Sequence, residues 1–155
     1  AVNVSAMPLL AEHLASMGFK GSFVLSPDRK REPAAKLVAE ILGGDHGYLE
    51  KTRDRVTGEV RTEVKGLPVE GRDVVIVDDI ISTGGTIANA ASIVKSQGAR
   101  RVVAACTHAI LAPGAVERMR SAGVEEVVGT DAVEGEVSKV TVAPALAKGV
   151  KELLG

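Results

Sequence analysis

Aromatic side chains are scarce in this 155-residue chain: Phe19, Phe23 and Tyr48 amount to 2%, and there is no tryptophan. The core must therefore be aliphatic, and stacking platforms for single-stranded nucleic acid or glycans are excluded. A single cysteine, Cys106, cannot form an internal disulfide, which fits a reducing compartment and a cytoplasmic location. Neither sign of charge is in excess, with 19 Lys and Arg against 20 Asp and Glu. Nucleic acid and membrane surfaces are accordingly not expected partners. No apolar run approaches the ~20 residues of a membrane helix, and no basic-then-apolar signal opens the chain. The remaining composition, 45% hydrophobic and 25% charged, is that of one globular domain at roughly 150 residues per domain.

Short aliphatic runs alternate with longer stretches of helical period. Met7, Leu10, Leu14 and Met17 recur at spacings of three and four, predicting a helix from Ser5 to Met17 with Ser5 as its N-cap. Phe23-Val24-Leu25 reads as a strand closed by a turn at Ser26-Pro27-Asp28. Pro33 suits the first turn of a helix whose Leu37, Val38, Ile41 and Leu42 form one face and which ends at Gly43-Gly44. From Tyr48 to Gly66 the chain turns polar, and Val56, Val60 and Val64 are too isolated to define a face. A mobile, hairpin-like excursion is expected there.

Val74-Val75-Ile76-Val77 is the clearest buried strand, β-branched throughout, as parallel strands covered on both faces tend to be. A turn over Asp78 to Thr86 and a helix to about Gln97 follow. A strand from Arg101 to Cys106, a helix from Pro113 to about Arg120, a short strand from Glu125 to Val128 and a closing amphipathic helix from Ala143 to Leu154 complete the pattern. This alternation predicts an α/β fold, a mostly parallel twisted sheet with helices on both faces.

The chemistry is concentrated in Val74 to Thr86, which reads VVIVDDIISTGGT. A buried strand delivers two adjacent acids, Asp78 and Asp79, and then a turn of small residues that opens a helix. Ligands of open α/β sheets bind outside the carboxyl ends of the strands. Ser82, Thr83, Gly84, Gly85 and Thr86 offer backbone N–H groups and hydroxyls with no bulky side chain in the way, a cradle for a phosphate. Two carboxylates would repel an anion placed on them. They fit a ligand with a phosphate at one end and hydroxyls, or a bound Mg²⁺, at the other, and a sugar phosphate meets that description. No lysine follows the glycines as in GxxxxGK[ST], and no GxGxxG follows a strand.

VVIVDDIISTGGT resembles the loop that binds phosphoribosyl diphosphate (PRPP) in proteins of the type I phosphoribosyltransferase fold. Ser26-Pro27-Asp28, Tyr48 to Arg53, Val64-Lys65-Gly66 and Thr107-His108-Ala109 fall in the order expected of the ribose-phosphate pyrophosphokinase (PRPP synthetase) family, most like its archaeal forms. The resemblance covers essentially the whole chain, including Asn3 to Leu10, but only the C-terminal half of such an enzyme. It implies a single phosphoribosyltransferase-fold domain over residues 1–155, half of a longer two-domain enzyme, with a charged flexible hairpin-like loop.

The family reaction joins ribose 5-phosphate and Mg-ATP to give PRPP and AMP. By resemblance, Asp78 and Asp79 hold the ribose hydroxyls with Mg²⁺ nearby, and residues 82–86 bind the 5-phosphate. Lys51 and Arg53 match the catalytic flexible loop, whose cations neutralise charge on the transferring phosphates. Without that match, residues 51–65, with five basic and three acidic groups, read as a solvated loop. Asp28 falls on the pyrophosphate side and, with Asp78, is the implied metal ligand. Where the family often has glycines after that Asp, this chain has Arg29-Lys30-Arg31-Glu32-Pro33. Either the three cations supply by charge what the backbone no longer offers, or the loop has lost that role. Ser82 stands where many relatives carry a further acid.

His108 reads most simply as packed at a strand end. Cys106 is expected to be buried rather than reactive, and Asp131, after the strand ending near Val128, is a candidate for a further crevice acid. His13 and His46 have no ligand spacing. Because the adenine site of the family draws on the other half and on a neighbouring subunit, this chain alone is expected to synthesise little or no PRPP, and a homo-oligomer is expected. Two rival readings share the same loop. One is a nucleobase phosphoribosyltransferase, against which stands the lack of an aromatic hood. The other is a non-catalytic module or fragment that binds ribose phosphates.

Overall fold

The computed structural model describes residues 5–63, 65–130 and 138–154. The chain runs α1 (Met7–Ser16), β1 (Phe23–Ser26), a 3₁₀ turn (Arg29–Arg31), α2 (Glu32–Leu42), β2 (His46–Tyr48), β3 (Glu50–Arg53), β4 (Val60–Glu63) and β5 (Val74–Ile81). It continues through α3 (Gly85–Ser96), β6 (Val102–Ala109), α4 (Ala115–Ser121), β7 (Glu126–Thr130), β8 (Ser138–Val140) and α5 (Ala143–Leu154). Six strands form one sheet in the order β2-β1-β5-β6-β7-β8, each neighbour parallel to the next. β3 and β4 form a separate antiparallel pair.

Side chains of β5 alternate between two aliphatic layers, as the period of a strand requires. Val74 and Ile76 pack with Ile87, Val94 and Met119 on the face covered by α3 and α4. Val75 and Val77 pack with Leu10, Leu14, Val38 and Leu42 beneath α1 and α2. The two phenylalanines are divided, Phe23 in the first layer and Phe19 in the second. Among the described residues no helix is long and apolar enough to cross a membrane.

Several boundaries differ from the sequence pattern. β5 continues through Asp78, Asp79, Ile80 and Ile81, where a turn is expected, because β6 pairs along it: Asp78 with Cys106, Ile80 with His108 and Ile81 with Ala109. β6 likewise runs past Cys106 to Ala109. The excursion from Tyr48 divides in two. His46–Tyr48 joins the main sheet beside β1, and β3 with β4 forms the hairpin. Gly47 permits the first of these, since a Cβ there would lie 2.8 Å from the Phe23 ring. Ala6, not Ser5, occupies the N-cap of α1, and Ser5 Oγ accepts from the Met7 N–H at 3.2 Å. Ile41 of the expected α2 face is exposed, and the buried stripe is Ala35, Val38, Ala39 and Leu42.

The base of the sheet is tied by charge. Asp73 takes two hydrogen bonds from Arg100 and two from Arg101, at 2.5–3.1 Å. Those donors, Arg101 foremost, hold its carboxyl well below the usual carboxylate range. Arg101 also lies over Phe19, 4.5 Å from the ring centroid. At the opposite end, β2 lies to one side of β1 and β5 to the other, which makes a topological switch point, the place where open α/β sheets bind ligands.

Candidate functional site

The turn after β5 is shaped by one glycine of its pair. Gly84 caps α3 in the left-handed region with φ +79, and a Cβ there would stand 2.9 Å from the Ala115 carbonyl oxygen. Only glycine meets both demands. A Cβ on Gly85 would meet nothing closer than 3.5 Å, so packing leaves that position free. Thr83 Oγ1 accepts from the Gly85 N–H at 3.3 Å. Ser82, Thr83 and Thr86 are exposed. A hollow of about 160 Å³ is lined by Asp78 and by all of residues 80–87, with the positive end of α3 beside it.

Asp78 also lines a second hollow, of about 350 Å³, together with Asp79, Arg31, Thr107, His108 and the start of α1. Asp78 therefore stands between a phosphate-sized recess and a larger crevice, with Asp79 on the crevice side. Asp78 is half-buried and accepts from the Asp79 N–H at 2.8 Å. Burial pushes its carboxyl above the ordinary range, opposed by that hydrogen bond and by Arg31 and reinforced by the charges of Asp28 and Asp79. Asp28 caps the 3₁₀ turn, its Oδ1 accepting from the Arg31 N–H at 3.1 Å. Among the described residues no group of three or more acidic, His or Cys side chains forms a metal cage. Mg²⁺ keeps several waters and takes one or two carboxylates plus substrate phosphates. Asp78 and Asp28 are carboxylates of that type, lining neighbouring hollows.

Lys51 lines a third hollow, of about 430 Å³, with Asp28, Arg29, Lys30, Tyr48 and Glu50. Arg29 lies 6.0 Å from the centroid of the Tyr48 ring. Arg53 is two residues further along the exposed β3, away from that hollow. The hairpin is held at its base by Lys65 to Glu50 (2.6 Å) and by Gln97, which bonds the Lys65 carbonyl and the Leu67 N–H. On its flank Asn89 of α3 donates to Thr62 at 3.1 Å. His108 lies on the crevice that holds the acid pair. Cys106 is buried, and its thiol is pushed up to about 12, chiefly by desolvation and secondarily by the Asp78 charge. Asp131 and Val64 lie outside the described residues. Arg118, which sequence reasoning did not single out, reaches from α4 to the Thr83 carbonyl. As a surface cation 35 residues away it carries no local signal.

The model of the phosphoribosyl transferase domain matches residues 5–143. The chain belongs to this family. It is similar to the ribose-phosphate pyrophosphokinase of Methanothermobacter thermautotrophicus, 43% identical over 150 residues, which are 96% of this chain and 51% of that protein. The Methanopyrus kandleri enzyme of the same name is 44% identical over 158 residues, all of this chain and 53% of its own. The chain thus spans about half the length of these relatives. Among solved structures, phosphoribosylpyrophosphate synthetase from Mycobacterium smegmatis superposes with a TM-score of 0.75 at 28% identity, over 96% of this chain and 50% of that one. The parallel sheet described above is the phosphoribosyltransferase fold, and the chain's relatives include archaeal ribose-phosphate pyrophosphokinases.

Proposed function

We propose that this chain binds ribose 5-phosphate and PRPP and supplies the ribose-phosphate half of PRPP synthesis from ribose 5-phosphate and Mg-ATP. One observation carries the reading: Asp78 lines both a recess of about 160 Å³ walled by residues 80–87 and the larger crevice that it shares with Asp79. A pentose phosphate fits that order, its 5-phosphate on the N–H groups and hydroxyls of residues 82–86 and its ring hydroxyls donating to the carboxylates.

In the reaction, the C1 hydroxyl oxygen forms a bond to the β-phosphorus of ATP. The bond from that phosphorus to the oxygen shared with the α-phosphate breaks, AMP leaves with that oxygen, and the hydroxyl proton is released. Such transfer depends on positioning and charge neutralisation. Asp78 and Asp79 orient the sugar, and Lys51 and Arg53 bring cations toward the phosphates as the hairpin closes. Magnesium held by Asp28 and Asp78 would neutralise phosphate charge. The basic run Arg29 to Arg31 faces the pyrophosphate side with side-chain charge in place of a glycine backbone.

Titration calorimetry with ribose 5-phosphate tests the binding. Heat and a raised Tm are expected; no heat and no thermal shift at millimolar ligand would overturn the reading. The same reading takes residues 1–155 as one domain, the C-terminal half of a two-domain enzyme. This chain by itself then releases little AMP from ATP and ribose 5-phosphate, and robust turnover would refute that. A cytoplasmic homo-oligomer completes it, supported by the unpaired Cys106 and by exposed Leu146, Val150, Leu153 and Leu154 on α5, and sedimentation velocity decides the association.

A further inference from the structure

Three successive peptide groups enter the phosphate loop with their carbonyl oxygens held from one side. The Ile81 carbonyl accepts from the N–H groups of Ile110 (3.0 Å) and Leu111 (3.2 Å), and the Ser82 carbonyl accepts from that of Ala112 (2.8 Å). The Thr83 carbonyl accepts from Nη1 of Arg118 at 3.3 Å. All four donors belong to the corner after β6 or to α4. In a trans peptide the N–H points opposite to the C=O. Drawing these carbonyls toward α4 therefore turns the N–H groups of Ser82, Thr83 and Gly84 the other way. Among the described residues none of those three N–H groups has an acceptor, and all three residues line the recess of about 160 Å³.

The corner is built for this. Leu111 has φ +28, and among the described residues no other non-glycine residue has a positive φ. A backbone of that kind persists where its surroundings over-determine it. α4 presses close enough that Gly84 has no room for a Cβ against Ala115.

We infer that Arg118 is a positioning residue of the phosphate site. By holding the Thr83 carbonyl it aims the Gly84 N–H, as the backbone of residues 110–112 aims the two N–H groups before it, so the anion cradle is assembled before ligand arrives. Arg118 does not line the recess and acts through Thr83. The inference rests on the proposal that this loop takes the 5-phosphate.

Three variants of the chain separate hydrogen bonding from charge. Arg118→Met removes the donor, Arg118→Gln keeps a neutral donor, and Arg118→Lys keeps both donor and charge. Calorimetry with ribose 5-phosphate is expected to show about tenfold weaker binding for Arg118→Met, with most of the loss restored in Arg118→Gln. In the ligand-free protein the Gly84 amide resonance should shift in the Met variant and return in the Gln variant, with Tm unchanged in both. Wild-type affinity in Arg118→Met overturns the inference, as does rescue by Lys without rescue by Gln, which would make the effect simple attraction. Absence of binding by the wild-type protein overturns the phosphate reading itself. The Gly84 amide then still reports the hold, and an unmoved resonance in Arg118→Met refutes it.

Discussion

Arg31 faces Asp79 across the crevice, its Nη2 3.4 Å from the carboxylate Oδ2. A residue of the basic run Arg29 to Arg31 is thereby paired with one of the two acids expected to hold sugar hydroxyls. Both side chains are solvated, so the pair is worth under about 1 kcal/mol and yields readily to a ligand.

Arg31→Ala should shift Tm by less than about 3 °C. With the competing cation gone, Mg²⁺ should bind the acids several-fold more tightly and inorganic pyrophosphate more weakly. Separate calorimetric titrations with the two ions check the opposite signs.

Gly84 and Gly85 should part company. Gly84→Ala places a Cβ at φ +79 and 2.9 Å from a carbonyl oxygen, and should destabilise the fold by about 1–3 kcal/mol. Gly85→Ala should leave the urea midpoint unchanged, while Gly85→Val fills the approach to the recess and abolishes ribose 5-phosphate binding. Paired unfolding and binding measurements on the three variants test this.

Much of this architecture was legible in local pattern, and its gaps have physical causes. Val74 to Val77 mark the central strand by β-branching, and the acid pair with the glycine turn marks residues that line the two hollows at its carboxyl end. The continuation of β5 through Asp78 to Ile81 was hidden, because it depends on pairing with β6, about 30 residues away, rather than on side-chain type. His46-Gly47-Tyr48 has no strand signature of its own, and it is a strand because β1 offers an edge and Gly47 clears the Phe23 ring. Arg118 has no local signature, because what distinguishes it from other exposed helix cations is its bond to the Thr83 carbonyl, 35 residues away in the chain.

Two aspartates should respond to acid in opposite directions. Asp73 is held below the usual carboxylate range by Arg101 and Arg100. The unfolded chain binds more protons there, so its contribution is complete above the ordinary Asp value and drains away as pH falls below about 4. Asp73→Asn should lower the urea midpoint at pH 7 and flatten its fall in acid. Asp78 is raised by burial, so its charge opposes folding at neutral pH, and that opposition fades as pH falls through the raised value. Asp78→Asn should equal or exceed the wild-type midpoint at pH 7 while weakening ribose 5-phosphate binding about tenfold or more.

Lys51 and Arg53 lie exposed on β3, so Lys51→Ala and Arg53→Ala should leave Tm within about 1–2 °C of wild type. Ribose 5-phosphate affinity should also hold. On the proposed reading, AMP release measured with the N-terminal half supplied should fall by about a hundredfold or more, the scale of losing a group that stabilises transition-state charge. A loss of sugar-phosphate binding of the same size would show instead that these residues serve the ground state.

The knot of Asp73, Arg100 and Arg101 sits at the far end of the strands from the acid pair. Durability and ligand handling are thus vested in separate poles of one sheet. An engineer can harden the lower pole, by shortening its loops or enriching its charge lattice, and leave the upper pole's recognition chemistry as it was.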